Sequence, residues 1–407
     1  MSHSSNSLAN RSIAIIGAGI TGACCAAQLV NQGAKVTLYD RTMPGTSGPS
    51  RGNAAHIAAS EIIPLASPGI AFEAISMLLN PRGALKVPLS QWLRLTPWLT
   101  KFLLNSTAAK HSANTAALGQ MNQTTFEDIE ALYQRAGISH LLQRDGALYL
   151  YESEQSLQKS RQGFDVRAQF GFESQRLSAE EIYQLEPSLA RCFRGGYKLP
   201  QWMTVSDPLK VVQGLVDYAC AQGAQFRCEE IDDIRQVGNG TELRHRSGDT
   251  LRYDQVVLAA GVWSKPLLKK LGTPKPLEAE RGYNLTYTAP GIKLHRPILF
   301  GDRGVVATPL DHGIRIGGWA ELGGTSLPPV QKHFNVIDQI SAELFPALER
   351  QEHYRWMGHR PSTPSSTPII ECSAANPSVI YAFGHGHLGL TQGATTAKKV
   401  QQLLESV

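Results

Sequence analysis

The chain has 407 residues, too many for one ordinary hydrophobic core, so two closely joined domains are expected. Its composition, 42% hydrophobic and 18% charged with no low-complexity tract, is that of a soluble globular protein. A net charge of +5 without any Lys/Arg run excludes a nucleic-acid binder, and no apolar run reaches the roughly 20 residues that cross a bilayer.

The polar opening "MSHSSNSLANR" lacks the apolar core of a secretory signal, so residues 1–9 are expected to be a flexible lead-in. The six cysteines form no CxxC and no disulfide framework, which favours a reducing cytoplasm. Next comes "SIAIIGAGITGACCAAQLVNQGAKVTLYDR". Ile13–Ile16 is a buried-strand run, Gly17, Gly19 and Gly22 give GxGxxG, and Ala23, Ala26, Ala27 and Val30 continue at helical spacing. Gly33 ends that helix and "KVTLYD" forms a second strand closing at Asp40.

Each part of this unit has a physical task. Gly17 permits the tight turn, Gly19 lets the backbone approach a pyrophosphate, and Gly22 lets helix and strand pack closely. The helix N-terminus offers free N–H groups to the phosphates. Asp40, about twenty residues on, accepts ribose hydroxyls and disfavours a 2′-phosphate. The unit predicts a bound dinucleotide. A nicotinamide enzyme would continue with more strand–helix units. Here the chain enters "PGTSGPSRGNAAHIAASEIIPLASPGI", a long small-residue loop suited to cradling a flavin, so FAD is favoured.

Residues 73–190 carry mixed helical patterns. Within them "SQWLRLTPWLTKFLLN" (90–105) reads either as a helix–Pro–helix over the core or as a membrane-contact surface. Core packing is the plainer choice, because Pro97 interrupts the stripe and basic residues are few. Asp207 with Pro208 opens a further helix, and "FRCEEIDDIRQV", "TELRHR" and "LRYDQVVLAAG" follow as strands, the last ending in small residues fit to approach the same dinucleotide. Residues 276–349 alternate strands such as "RGYNLTYTA", "RGVVATPL" and "GIRIGGWAEL", which suggests an antiparallel substrate-binding sheet. Near the end, "YAFGHGHLGLTQGATTAKKV" sets glycines and two histidines before a helix whose face is Leu390, Ala394, Ala397, Val400, Leu404 and Val407. No partner motif accompanies His385 and His387, so no metal is expected.

In this order, "IIGAGITGACCAAQL", "GNAAHI" with "PLASPG", "VVLAAGVWS", "RGYNLTY", "RIGGWAE", "GHRPSTPSSTP" and "FGHGHLGLT" resemble the D-amino-acid-oxidase-like superfamily of FAD oxidoreductases. The nearest branch is that of D-amino-acid and D-hydroxyproline dehydrogenases, with glycine oxidase more distant. The resemblance implies an α/β fold: a Rossmann-like FAD-binding domain (10–75, 187–275 and 350–407) and a discontinuous, mixed α+β substrate-binding domain (76–186 and 276–349) built on the antiparallel sheet. It implies FAD contacts from Gly17, Ala18, Gly19, Ile20, Thr21, Gly22, Asp40 and Arg41, and from the loop Arg51, Gly52, Asn53, Ala54 and Ala55. Further contacts follow from Ile231, Ala260, Gly261 and Trp263, and from Gly384, Gly386, Leu388, Gly389, Leu390 and Thr391. The final helix would begin beneath the flavin and stabilise the charge that appears on reduction.

The implied reaction removes a hydride from an amino acid's α-carbon. An arginine suits the substrate carboxylate, and Arg360 in "GHRPST" matches that place in the family. His56, Tyr283 and His387 are the other expected active-site residues, while Arg281 and Arg315 are weaker candidates because strand arginines are most often solvated. The expected substrate is a D-amino acid, cyclic ones such as D-proline or hydroxy-D-proline included. The acceptor implied by the resemblance is a quinone or another carrier, with the protein cytoplasmic or peripheral on the inner face of the membrane. The alternatives are an oxygen-using oxidase of glycine, sarcosine or another secondary amine, and a flavin-containing subunit that needs a partner. Ser365 stands where relatives often carry an acid, Glu371 near a common glycine, and Ala55 where glycine is frequent, departures that bear on substrate choice.

Overall fold

A computed structural model describes residues 8–71, 83 and 85–406. Residues 1–7 of the expected lead-in, the 75/76 boundary and Val407 lie outside them. Leu8, within that lead-in, is fully buried, because its side chain joins the apolar cluster around the first helix.

The dinucleotide unit folds as its sequence pattern predicts. Strand β1 (Ser12–Ile16) leads into helix α1 (Ile20–Val30), and β2 (Lys35–Asp40) returns parallel to β1. Helix α1 is buried along its whole length, as its run of small residues allows, and packs against the final helix. The six-stranded sheet has the order β6-β2-β1-β7-β14-β13, with β6 at Gln225–Cys228, β7 at Gln255–Leu258, β13 at Ile369–Cys372 and β14 at Val379–Phe383. Only edge strand β13 runs antiparallel to its neighbour. The expected strands "FRCEEIDDIRQV" and "LRYDQVVLAAG" each split in two. Their outer parts, Ile231–Val237 and Thr250–Tyr253, join Gly240–His245 in a separate three-stranded sheet.

The second layer is a nine-stranded sheet. Its path is β12-β8-β11-β10-β9-β3-β5-β4, where β3 is Ala147–Tyr151, β4 Gln175–Ser178, β5 Gly195–Leu199, β8 Glu278–Tyr287, β9 Ile298–Phe300, β10 Val305–Leu310, β11 Gly313–Glu321 and β12 His353–Ser362. The sheet is not wholly antiparallel, since β9 pairs β3 in parallel and Leu85–Lys86 pairs β11 in parallel. These junctions join segments distant in sequence, which no hairpin could connect. Strands β5 and β12 fall in segments assigned above to the nucleotide domain. We propose the two-domain division with those two strands moved to the substrate side.

Residues 90–105 form one helix, α2 (Trp92–Asn105), with Pro97 accommodated inside it. The core-packing expectation fails for this helix: Leu95 is its one buried residue. The last helix, α5 (Gly389–Glu405), buries Leu390, Ala394, Ala397, Val400 and Leu404 as its spacing predicts. Among the remaining helices, α3 (Pro208–Ala221) is capped by Asp207, and α4 (Gln331–Leu344) lies behind the large sheet.

Candidate active site

A cavity of about 380 Å³ lies between the two sheets. Its nucleotide end is built by the β1–α1 turn. Gly17 has φ +109°, and a Cβ there would stand 2.6 Å from the Ala259 carbonyl oxygen. A Cβ on Gly22 would meet the Gly17 carbonyl oxygen at 1.8 Å, so no larger residue fits. Gly19 brings no capping side chain to the start of α1, no acid occupies its first turn, and Gly19, Ile20 and Thr21 face the cavity. Asp40 lines it too, accepting from the Ala18 N–H at 2.7 Å. Arg41 stacks on the Trp263 ring, 4.4 Å from its centroid, beside Ile231, Ala260 and Gly261. The glycine-opened N-terminus of α1, the turn too tight for larger residues and the ribose-side carboxylate together fit FAD.

Three side chains from the large sheet fasten the loop after β2. Asn284 Nδ2 donates to the Gly52 carbonyl at 2.7 Å, Arg315 Nη1 to that of Asn53 at 2.7 Å, and Thr308 Oγ1 to that of Ala54 at 2.9 Å. Three consecutive carbonyls are thus held by β8, β11 and β10 in turn. Gly52, Asn53 and Ala54 line the cavity, whereas Ala55 is buried beneath it with φ +59° and Arg51 points to solvent. Ser50, which sequence reasoning missed, accepts from the Ile20 N–H at 3.0 Å and ties the same loop to α1.

The other end of the cavity is set by strand alternation. On β8, Glu280, Gly282, Asn284 and Thr286 pair with Arg360, Gly358, Trp356 and Tyr354 of β12, and Arg360, Trp356, Gly282 and Asn284 face the cavity. The odd positions turn toward α4. Tyr283 follows them: it borders the cavity, but its ring packs on His333 and Phe334 of α4, and its hydroxyl donates to Glu321 Oε2 at 2.5 Å and receives the Val330 N–H. Burial and that carboxylate raise its phenol well above the usual range. Arg281 shares this rear network and is fully buried, reaching Glu321 at 3.3 Å and the carbonyls of Leu327 and Pro328. Arg315 is likewise buried, and desolvation pulls it down to about 10. The expectation that these strand arginines are solvated is therefore wrong, because both faces of the sheet are covered.

Arg360 lies over Gly282, where a Cβ would strike Nη2 at 2.3 Å and Nε at 3.0 Å. Nη1 is occupied, by Glu280 Oε1 at 2.7 Å and the Trp319 carbonyl at 2.8 Å. Trp319 has φ +71°, an uncommon conformation for a bulky residue. Nη2 makes one long contact, 3.4 Å to the Gly318 carbonyl. Burial alone would raise the Glu280 carboxyl. The charge of Arg360 and the hydrogen bonds from Arg360 and Ser362 reverse this, and it ends below its ordinary value.

The histidines separate. His387 has an exposed surface that borders the cavity, and desolvation, partly offset by Glu280 and Glu61, lowers its pKa. His385 also borders the cavity, bonds Thr396 Oγ1 at 2.8 Å, and is pushed down to about 4 by burial. His56 is not a lining residue. Its Nε2 pairs with Thr308 Oγ1 at 2.7 Å, its ring packs on Trp202, and burial lowers it to about 3. Gly386, Gly389 and Leu390 line the cavity, while Ala18, Gly22, Gly384, Leu388 and Thr391 form the layer behind. Thr391 accepts from the Ala58 N–H and so fastens α5 to the loop. Nothing local in "AERG" or "GGWA" marks Glu280 or the Trp319 carbonyl as partners of Arg360. Their pairing arises only when β8, β11 and β12 align.

A dinucleotide turn, a clamped flavin-side loop and an arginine-bearing sheet across the cavity define an FAD-binding oxidoreductase. Residues 12–403 match the model of the FAD dependent oxidoreductase (DAO) family, and the chain belongs to that family. It is 32% identical over 400 residues to a D-amino-acid oxidase of Bradyrhizobium diazoefficiens, covering 97% of this chain and 95% of that one. Its fold matches glycine oxidase from Geobacillus kaustophilus, with a TM-score of 0.73 at 21% identity over 98% of this chain and 95% of that one. It also matches iminodiacetate oxidase from a Chelativorans species, with a TM-score of 0.74 at 19% identity over 97% and 95%. Among the described residues no helix is long and apolar enough to cross a membrane.

Proposed function

We propose that the chain oxidises D-amino acids, cyclic ones such as D-proline and hydroxy-D-proline included, to imino acids that water then hydrolyses. The observation that carries this reading is Arg360. With Nη1 held by Glu280 and Trp319, the Nε–Nη2 edge remains for a carboxylate, over a strand position with no side chain to obstruct it. The D-amino-acid oxidase relative, similar over nearly the whole chain, supports the substrate class and its handedness.

Bound FAD supplies the acceptor for the hydride leaving the α-carbon. Gly17, Gly19 and the α1 N-terminus would hold its pyrophosphate, Asp40 a ribose, and Asn284, Arg315 and Thr308 keep its loop in place. Arg360 fixes the substrate carboxylate and so orients the α-carbon. His387, its pKa lowered by desolvation and so neutral, accepts a hydrogen bond from the substrate amine at an imidazole nitrogen, and the lone pair of the neutral amine assists hydride departure. Tyr283 and His56 act from behind, the first by fixing Glu321 and the second by holding Thr308 on the Ala54 carbonyl. The electron acceptor in this reading is a quinone or another carrier.

The test is an anaerobic absorbance scan of the purified protein with D- and L-forms of an amino-acid panel that includes proline and hydroxyproline. Bleaching of the flavin band by D-forms alone is expected. Bleaching only by glycine or sarcosine would replace the substrate class, and stoichiometric peroxide on aerobic turnover would replace the acceptor.

A further inference from the structure

On the cavity side of β8 and β12, two large side chains lie across a strip of glycines. Gly282 and Gly358 are cross-strand partners in the β8–β12 ladder, with Glu280–Arg360 on one side of them and Asn284–Trp356 on the other. Arg360 lies over Gly282 with its Nε–Nη2 edge open. Trp356 lies over Gly358 in the same way, since a Cβ there would stand 2.1 Å from Cη2 and 2.3 Å from Cζ2 of the indole. Partnered Cα atoms of an antiparallel pair are about 4.5–5.5 Å apart, so the guanidinium and the indole edge are neighbours on one floor. Strand β11 adds Gly317 and Gly318 beside them.

The indole is held from a second element as well. A Cβ on Gly52 would meet Cδ2 and Cε2, the fused bond of the ring system, at 2.2 Å. Asn284, the ladder partner of Trp356, holds the Gly52 carbonyl at 2.7 Å and keeps that contact in place. The ring therefore touches the sheet at Gly358 and the flavin-side loop at Gly52 while still bordering the cavity. A ring fixed at two places is a stop rather than a flap. The free end of Arg360 faces it: Nη1 is turned to Glu280, so the Nε–Nη2 edge is turned away, and the next side chain along that face of β12 is Trp356.

We propose that Trp356 sets the size of the substrate. An amino acid held by its carboxylate on Arg360 lays its side chain over the bare glycines and against the indole. A five-membered ring or a short chain fits there, and a larger one meets the indole and is turned away. This size limit rests on Arg360 as the carboxylate anchor, and it explains why cyclic amino acids suit the site. It does not depend on the handedness of the substrate.

The test is titration of the FAD-loaded enzyme with two carboxylates that lack an oxidisable α-carbon, pyrrole-2-carboxylate and the larger indole-2-carboxylate, followed through the flavin absorbance band. The unaltered enzyme should bind the smaller ring more tightly, by roughly 10-fold or more. Trp356→Leu removes the stop but keeps an apolar side chain against Gly52 and Gly358. It should shift the ratio of the two Kd values toward the larger ring by roughly 10- to 100-fold, with Trp356→Phe in between. Taking the ratio cancels any general loss from a loosened flavin-side loop. Arg360→Lys should weaken both ligands alike. An unchanged ratio in Trp356→Leu, equal affinity of the unaltered enzyme for both rings, or no spectral response to either would overturn the proposal. Ligands that behave as expected while no D-amino acid bleaches the flavin would leave the size limit standing and remove the D-amino-acid reading alone.

Discussion

Two arginines face the same cavity, and their surroundings give them different work. Arg360 is charge-balanced by Glu280, which spends one end of the guanidinium on the protein and orients the other. Arg315 has Thr286 and the Asn53 carbonyl as partners, both uncharged, and the loss of water at that site is what lowers its pKa. Arg360→Lys keeps a charge but loses the planar edge, so kcat/KM should fall on the order of 10²-fold or more, with FAD content unchanged. Glu280→Gln leaves Arg360 in place with a weaker hold. It should raise KM more than it lowers kcat, because the arginine's orientation loosens while the hydride acceptor stays put. Stopped-flow reduction against substrate concentration separates the two effects, and unchanged kinetics in Glu280→Gln would mean the pair is structural alone.

At the scale of elements, the β1–α1–β2 unit was legible in the sequence because its glycines are demanded by contacts within thirty residues. Gly22 stands against Gly17, and Asp40 reaches Ala18. The final helix was legible for the same reason, since its apolar period is local. What could not be read was which side of β8 faces the cavity. Tyr283 and Asn284 are neighbours, and a register shift of one residue would exchange their roles. That register depends on β11 and β12, which lie far along the chain, and on a bulge near Arg281–Tyr283. So Tyr283 was expected at the substrate, while Asn284 passed unnoticed. Asn284→Ala removes the hold on the Gly52 carbonyl and leaves that carbonyl partly unsatisfied, a loss of about 1–3 kcal/mol. FAD affinity should fall roughly 5- to 150-fold, read from flavin fluorescence on dilution. Asn284→Asp, which cannot donate there when ionised, should behave like the alanine variant.

At the scale of the whole molecule, two histidines, half-buried His56 and buried His385, sit at the joint between its layers. His56, in the two-residue strand His56–Ile57 that pairs with Met203–Val205, connects that strand to Thr308 of the large sheet, and His385 connects the last cavity loop to Thr396 of α5. Their folded pKa values, about 3 and about 4, lie below the unfolded value near 6.5. Below pH 6.5 the unfolded chain therefore binds protons that the folded chain refuses. Stability is full above that pH and falls as the pH drops toward 4, by up to about 1.4 kcal/mol per pH unit for each histidine. Glu280, whose folded pKa is depressed, adds its own loss only at still lower pH, as the pH passes from its unfolded toward its folded value. Thermal unfolding at fixed free FAD should show Tm falling between pH 6.5 and 4.5. His385→Gln, whose amide can still reach Thr396, should give a shallower fall even if it starts from a lower Tm. Parallel pH profiles for the two proteins would show that His385 titrates freely in the folded state, and the joint would then owe its acid sensitivity to other groups.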